Sequence, residues 1–331
     1  MIGHQEVSME QDIGLRFGVY DLPDASLPTL IERWHLVEQL GFDQLWTADH
    51  TADWRNPQGH WFDAWITLAA MAAHTDRIRV GTLVANPILR HPVTLAKQAA
   101  SVDHLSRGRL ELGIGTGIAG FDHAAMGIPY WSFRERIERF REYVHIVHSV
   151  LVSRGSAVTF AGRHYSTEGV RLIPDTPQQP RPPITIGGQS PGVLRVAAEF
   201  ADRWNTHGPF GASVEEIVAS TRRQNATLDQ LCAAHGRDPS TLRRALLLFE
   251  ALDPWSSADA FERIVDSFVA VGIREFVVFW PGDDRCNDLE RLAGEVIPRL
   301  RGVRSGSPPP TLGLNAPKAL AGGPSARCGE G

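Results

Sequence analysis

Apolar positions along the chain alternate between two rhythms. Residues 16–22 (RFGVYDL) form a short apolar run with the density of a buried strand. Residues 28–40 follow with Leu30, Trp34, Val37 and Leu40 at three- and four-residue spacing, one face of a helix, and Gly41 supplies a C-terminal stop. The couple recurs as strand 43–48 with helix 62–74, strand 77–85 with helix 92–105, and strand 109–117 with helix 132–151. It resumes as strand 182–188 with helix 191–201, strand 203–208 with helix 213–235, strand 244–251 with helix 258–271, and strand 275–280 with helix 287–301. The interruption, residues 157–173 (AVTFAGRHYSTEGVRLI), alternates with a period of two about Gly162-Arg163, which predicts a β-hairpin.

Eight strand–helix couples predict an α/β fold, a (β/α)8 TIM barrel with a β-hairpin insertion after the fourth helix. The strands are apolar on both faces, as parallel strands inside a ring of helices must be. An open doubly wound sheet is the runner-up, and no GxGxxG follows the first strand to support it. The barrel is expected to occupy residues 14–302 as one domain. Residues 1–13 read as a flexible leader, and residues 303–331, rich in Pro, Gly and Ser with few large hydrophobes, read as a disordered tail.

Composition narrows the function. The chain has 331 residues, 43% hydrophobic and 21% charged, with a net charge of −5 and no basic stripe, which speaks against nucleic acid as a partner. Cys232, Cys286 and Cys328 are far apart and form no CxxC pair, as in a reducing cytoplasm. The amino terminus is polar, and no apolar run approaches the ~18–20 residues of a membrane span. The 13 histidines are scattered, with no HExxH; His145 and His148, on a helix away from the expected site, do not make a metal centre.

A barrel carries its chemistry at the carboxyl ends of its strands. In LWTADHTADW (45–54) that end is Thr47, Asp49 and His50. A histidine there can move a proton near neutral pH, and a carboxylate beside it can fix its tautomer. Equally, Asp49 could cap a turn and His50 simply pack. The third strand ends at Leu83-Val84-Ala85-Asn86-Pro87 and the fourth at Gly115-Thr116-Gly117, a turn that can lie flat against an aromatic ring. The next ends at Gly187-Gly188-Gln189-Ser190, with Pro191 opening a helix whose free N–H groups suit an anion, or else as a plain serine-capped turn. Asn205, Thr206 and His207 end the following strand. GFDHAAMG (120–127) adds Asp122 and His123 in what reads as a polar loop. No GxSxG elbow or Walker loop is present.

Three segments, GFDQLWTADH, RIRVGTLVANPILRHPVTLAKQAASVDHLSRGRLELGIGTG and PPITIGGQSPGVLRVAAEFADRWN, together resemble the bacterial luciferase-like superfamily of flavin-dependent oxidoreductases. The resemblance spans roughly residues 15–300, hairpin included. It implies a barrel that uses FMN or the deazaflavin F420. An Asp-His pair after the second strand is typical of F420 members, whereas many FMN members have Glu-His. By that resemblance His50 would sit over the deazaflavin as proton donor or acceptor, with Asp49 hydrogen-bonding near the ring. Trp54 would line the substrate pocket, with Asp122, His123, Asn205 and His207 as further candidates. A non-prolyl cis bond would fall at Leu83–Val84, so that Leu83, Val84 and Ala85, with Gly115, Thr116 and Gly117, would meet the ring. Gly187, Gly188, Gln189 and Ser190 would meet the cofactor phosphate.

One departure stands out. The family's sugar-phosphate dehydrogenases carry a Glu directly after GTG; here it is Ile118, which argues against glucose 6-phosphate as substrate. Asp122 or His123 could replace that acid. The expectation is an F420-dependent oxidoreductase moving a hydride between deazaflavin C5 and a small hydrophobic organic molecule, without a metal, in the cytoplasm. The alternative is a luciferase-like monooxygenase using O2 and reduced FMN. A reductase supplying reduced cofactor and a second copy of the chain, forming a homodimer, are the protein partners expected; neither nucleic acid nor membrane is.

Overall fold

A computed structural model describes residues 14–249 and 251–302. The leader and tail expected at 1–13 and 303–331 lie outside the described residues.

Among the described residues, eight parallel strands close into a barrel: β1 (Arg16–Tyr20), β2 (Gln44–Thr47), β3 (Arg79–Ala85), β4 (Leu110–Ile114), β7 (Ile184–Gly187), β8 (Arg203–Thr206), β9 (Arg243–Leu247) and β10 (Glu275–Phe279). Each pairs with its neighbour in chain order, and β1 pairs with β10 to close the ring. The insertion is a separate antiparallel ribbon, β5 (Val158–Ala161) with β6 (Ser166–Val170), as the alternating pattern predicts. Helices α1 (Leu27–Gln39), α2 (Ala64–His74), α3 (Pro92–Leu105), α5 (Phe133–Leu151), α6 (Pro191–Phe200), α7 (Val214–Ala234) and α8 (Ala258–Val269) fill the crossovers.

Two local features differ from the sequence reading. The segment read as a polar loop forms a short helix, α4 (Gly120–Ala125), with Asp122 and His123 both buried. The last helix is not uniform: α9 (Cys286–Arg291) and α10 (Ile297–Leu300) are joined by a π-helical stretch, Leu292–Val296. Apolar spacing cannot report a switch of hydrogen-bond register, because one inserted residue shifts the buried stripe only locally.

The helix starts obey capping chemistry. Ser26, Ser132, Ser190 and Ser213 accept from backbone N–H groups at the starts of α1, α5, α6 and α7, and Asp63 does so for α2. Buried faces such as Leu30, Trp34 and Val37 of α1 then pack on the strands.

The lumen is layered. At its floor lies a buried ionic cluster in which Arg203 donates to Glu111 (2.6 Å), Glu275 (2.7 Å) and Thr185 (2.9 Å), while Gln44 also donates to Glu275 (2.7 Å). Burial pushes the Glu111 carboxyl up, but Arg203 and Arg79 overcome this and hold it at about 2. Trp46 lies over the Arg203 guanidinium at 5.4 Å and is fully packed, so it is a core residue. With Tyr20, Leu22, Ala48, Leu83, Leu247 and Val277 it forms an apolar plug above the ions. The barrel is therefore solid below, and only its mouth is open.

Candidate active site

A cavity of about 430 Å³ opens at the carboxyl ends of the strands, a size usual for small-molecule sites. It gathers Leu83, Val84 and Ala85 from β3, Gly115, Thr116 and Gly117 after β4, and Gly187, Gly188, Gln189 and Ser190 after β7, together with His50, Asn205 and His207. Residues separated by more than 150 positions thus share one wall because their strands end at one rim.

The Leu83–Val84 peptide is cis, as the resemblance implies. The β3–β4 ladder shifts register between Thr82 and Ala85, so Val84 bulges from the strand into the cavity. The glycines make room for it: a Cβ on Gly115 would lie 2.3 Å from Val84 Cγ2, and one on Gly187 would lie 3.0 Å from Val84 Cγ1. These glycines are needed for the close approach of Val84.

His50 is a protonatable side chain on the wall of the cavity. Its Nδ1 lies 2.6 Å from Asp122 Oδ2. Asp122 is fully buried and also accepts from Thr51 N (2.8 Å), Thr51 Oγ1 (2.8 Å) and Asn86 Nδ2 (2.8 Å). Burial pushes its carboxyl up, but hydrogen bonds from His50 and Thr51 outweigh this and hold it below the usual carboxylate range. An ionised Asp122 accepts only, so neutral His50 carries its proton on Nδ1 and leaves Nε2 for the cavity. Trp61 Nε1 donates to the His50 carbonyl (2.8 Å), and Trp54 packs edge-on against the imidazole with centroids 5.4 Å apart.

Three expectations need correction. Asp49 is not beside the His50 imidazole and does not line the cavity. β2 has already ended at Thr47, and in the connection that follows the buried Asp49 carboxylate forms a bidentate ion pair with Arg90 (2.9 Å to Nη2, and a close contact to Nη1). Its Oδ2 also accepts from Asn86 N (2.8 Å). Asp49 therefore fastens the loop after β3. The carboxylate that serves His50 is Asp122, placed by sequence reasoning in the substrate pocket. His123, its neighbour, is packed between Tyr130 and Trp131, with Nδ1 3.0 Å from the Pro129 carbonyl, and does not face the cavity.

Asn205 is buried, and its Oδ1 has no hydrogen-bond partner within the protein, although it lines the cavity. A buried amide oxygen of this kind calls for a donor on a ligand. The glycine-framed Val84 surface, this orphan acceptor and the serine-capped α6 fit a flat, polar-edged heterocycle with an anionic tail. Ile118 is half exposed at the rim, and with Phe133, Ile137 and Phe210 it gives the cavity an apolar outer wall.

Arg136, Thr51 and Arg90 were not among the residues singled out. Asn86 directly follows β3, where the strand-end rule places it, but its bonds to Asp122 and Asp49 carry no signal in the sequence. Arg136 sits in a charge-rich helix, FRERIERFRE, where nothing in the pattern sets it apart. Among the described residues no cluster of His, Cys, Asp or Glu is placed to hold a metal, and no helix is long and apolar enough to cross a membrane.

Comparison with known proteins places the chain in a family and agrees with the barrel. The luciferase-like monooxygenase family model matches residues 12–288. The chain is 34% identical over 321 residues to an F420-dependent glucose-6-phosphate dehydrogenase of Amycolatopsis mediterranei, covering 83% of this chain and 95% of that one. It is 32% identical over 221 residues to an F420-dependent hydroxymycolic acid dehydrogenase of Mycobacterium tuberculosis, covering 66% of this chain and 58% of that one. In three dimensions it resembles an F420-dependent secondary alcohol dehydrogenase solved with an F420-acetone adduct, with a TM-score of 0.75 and 19% identity over 88% of this chain and all of the other.

Proposed function

We propose, for a chain that belongs to the luciferase-like monooxygenase family and is an oxidoreductase, that its cofactor is F420 and that its substrate is a hydrophobic alcohol or the corresponding carbonyl compound. The observation that carries the reading is the His50–Asp122 pair at the edge of the glycine-framed cavity. The F420-dependent dehydrogenases among its relatives support the choice of cofactor.

F420, when bound, exchanges a hydride at C5 of its deazaflavin ring. Val84 with Gly115 and Gly187 would support the ring, Asn205 would accept from its edge, and Gly188 to Ser190 would face the tail. The chain's own task is the proton. In the oxidative direction, His50 Nε2 takes the hydroxyl proton of the alcohol as its C–H hydrogen leaves with both bonding electrons. In the reductive direction, the imidazolium returns that proton to the carbonyl oxygen. Asp122 holds the ring in the required tautomer and stabilises the imidazolium, so it positions rather than reacts. The apolar wall from Ile118 to Phe210 excludes water and favours a substrate without charge near the reacting carbon. A homodimer, and a separate enzyme to recycle the cofactor, complete the reading.

Anaerobic turnover tests it. A panel of secondary alcohols and ketones with F420 should show activity without O2 that falls by about 100-fold or more in H50A. Turnover that requires O2 and FMN would overturn it.

A further inference from the structure

The mouth of the barrel is built unevenly. On the side of β3, β4 and β7 its wall is Val84 and glycines. On the side of β8, β9, β10 and β1 it is a row of rings. In β10, Glu275 belongs to the ionic floor and Val277 to the plug, so the period of two turns Phe279 inward again, one layer higher. Tyr20 stands beside it in the β1–β10 ladder, with ring centroids 5.0 Å apart. The row continues to Phe249 after β9, 5.5 Å from Phe279, and to Phe210 after β8, 5.9 Å from Phe249. His207 lies 4.8 Å from Phe210, and both line the cavity.

Packing within the row does not use up its surface. Phe210 is 63% exposed, and Phe249 and Phe279 are half-buried, whereas Phe17 and Phe276, on the outer faces of β1 and β10, are sealed in the core. The row holds no carboxylate, lysine or arginine. The same character recurs beside the proton-moving group: Trp54 and Phe121 flank His50 with centroids 5.4 Å from the imidazole, and both are more than a third exposed. Aliphatic side chains would exclude water equally well. Rings in edge-on and tilted pairs also leave faces and edges that a further ring can meet. From this row and the rings beside His50 we infer that the substrate carries an aromatic ring next to the reacting carbon: an aryl carbinol in the oxidative direction, an aryl ketone or aldehyde in the reductive one. The ring docks on Phe210, Phe249 and Phe279, and the carbinol faces His50. The chemical step is unchanged: the C–H hydrogen leaves with its electron pair to the oxidised cofactor, and the hydroxyl proton passes to His50 Nε2. The inference rests on the alcohol–carbonyl reading of the same cavity.

Two alcohols of matched skeleton test it: 1-phenylethanol and its saturated counterpart 1-cyclohexylethanol, each with F420 and the wild type, F249L or F279L. The wild type should prefer the aryl alcohol in kcat/KM by about 2- to 10-fold for each ring contact made. F249L and F279L keep apolar bulk and remove a ring, so each should lower the aryl-to-cyclohexyl ratio by about twofold or more. The ratio is the readout because a general loss of folded enzyme lowers both rates together and leaves it unmoved. A wild-type ratio near one, or a ratio that neither variant changes, would overturn the inference and leave the row as an apolar wall alone. If neither alcohol is turned over, the alcohol reading itself fails. The ring preference is then read from equilibrium dialysis of acetophenone against cyclohexyl methyl ketone, where tighter binding of acetophenone that F249L or F279L abolishes supports it and equal affinities overturn it.

Discussion

Replacing Asp122 with Asn keeps the shape of the buried carboxylate and reverses its hydrogen-bond logic. The four contacts divide between two oxygens: Oδ1 accepts from Thr51 N and Oγ1, and Oδ2 accepts from His50 Nδ1 and Asn86 Nδ2. The carboxamide satisfies Thr51 only if its oxygen takes the Oδ1 position. Its NH2 group then faces His50 and the Asn86 amide. His50 can adapt by moving its proton to Nε2 and accepting at Nδ1, but Asn86 Nδ2 is left as a buried donor facing a donor. That mismatch costs about 1–3 kcal/mol. At about 2–4 °C per kcal/mol for a domain of this size, the melting temperature should fall by roughly 2–12 °C. The kinetic effect is larger, because an Nε2 that carries the proton cannot accept one from an alcohol. D122N should lose about 100- to 10,000-fold in kcat for alcohol oxidation, with a smaller loss for carbonyl reduction, where a donor is needed. Steady-state rates in both directions across pH, with circular dichroism as a control for folding, measure this. Retention of kcat within about threefold, with an unmoved pH profile, would refute the assignment.

Other perturbations probe the support around the site. R90M leaves the buried Asp49 carboxylate without its ion-pair partner, so it should cost about 3–5 kcal/mol, seen as a lower urea midpoint. G115A drives a methyl into Val84 and should weaken cofactor binding more than G187A does, in line with 2.3 Å against 3.0 Å; a titration that ranks them in the opposite order contradicts the packing account. His148 is held down to about 4 by burial and by Arg181, whose Nε donates to its Nδ1. The unfolded chain therefore binds the extra proton first, so stability should fall as pH drops from about 6.5 towards 4, and H148Q should flatten that slope in urea melts.

Periodicity alone exposed the barrel, since eight apolar strands followed by eight amphipathic helices admit few other folds. It also located the mouth, because strand ends follow from strand positions: all ten residues expected to meet the cofactor line one cavity. The side-chain partnerships were hidden. His50 and Asp122 are 72 positions apart and meet only because the loops after β2 and β4 fold over one rim. The adjacent Asp49 looked like the natural partner, yet its carboxylate is taken by Arg90 and the Asn86 N–H. The Asp49–Arg90 pair and the orphaned Nε of Arg136 depend on three-dimensional accounting of donors and acceptors, which no spacing rule supplies.

The central claim is that this cavity binds a deazaflavin and that His50 moves the proton beside it. Side-by-side titration of the purified protein with F420 and FMN tests the claim most directly. The account predicts saturable binding of F420, at least about tenfold tighter than FMN, and unchanged F420 affinity in H50A, whose turnover is lost. Tight binding of FMN with none of F420 would contradict it.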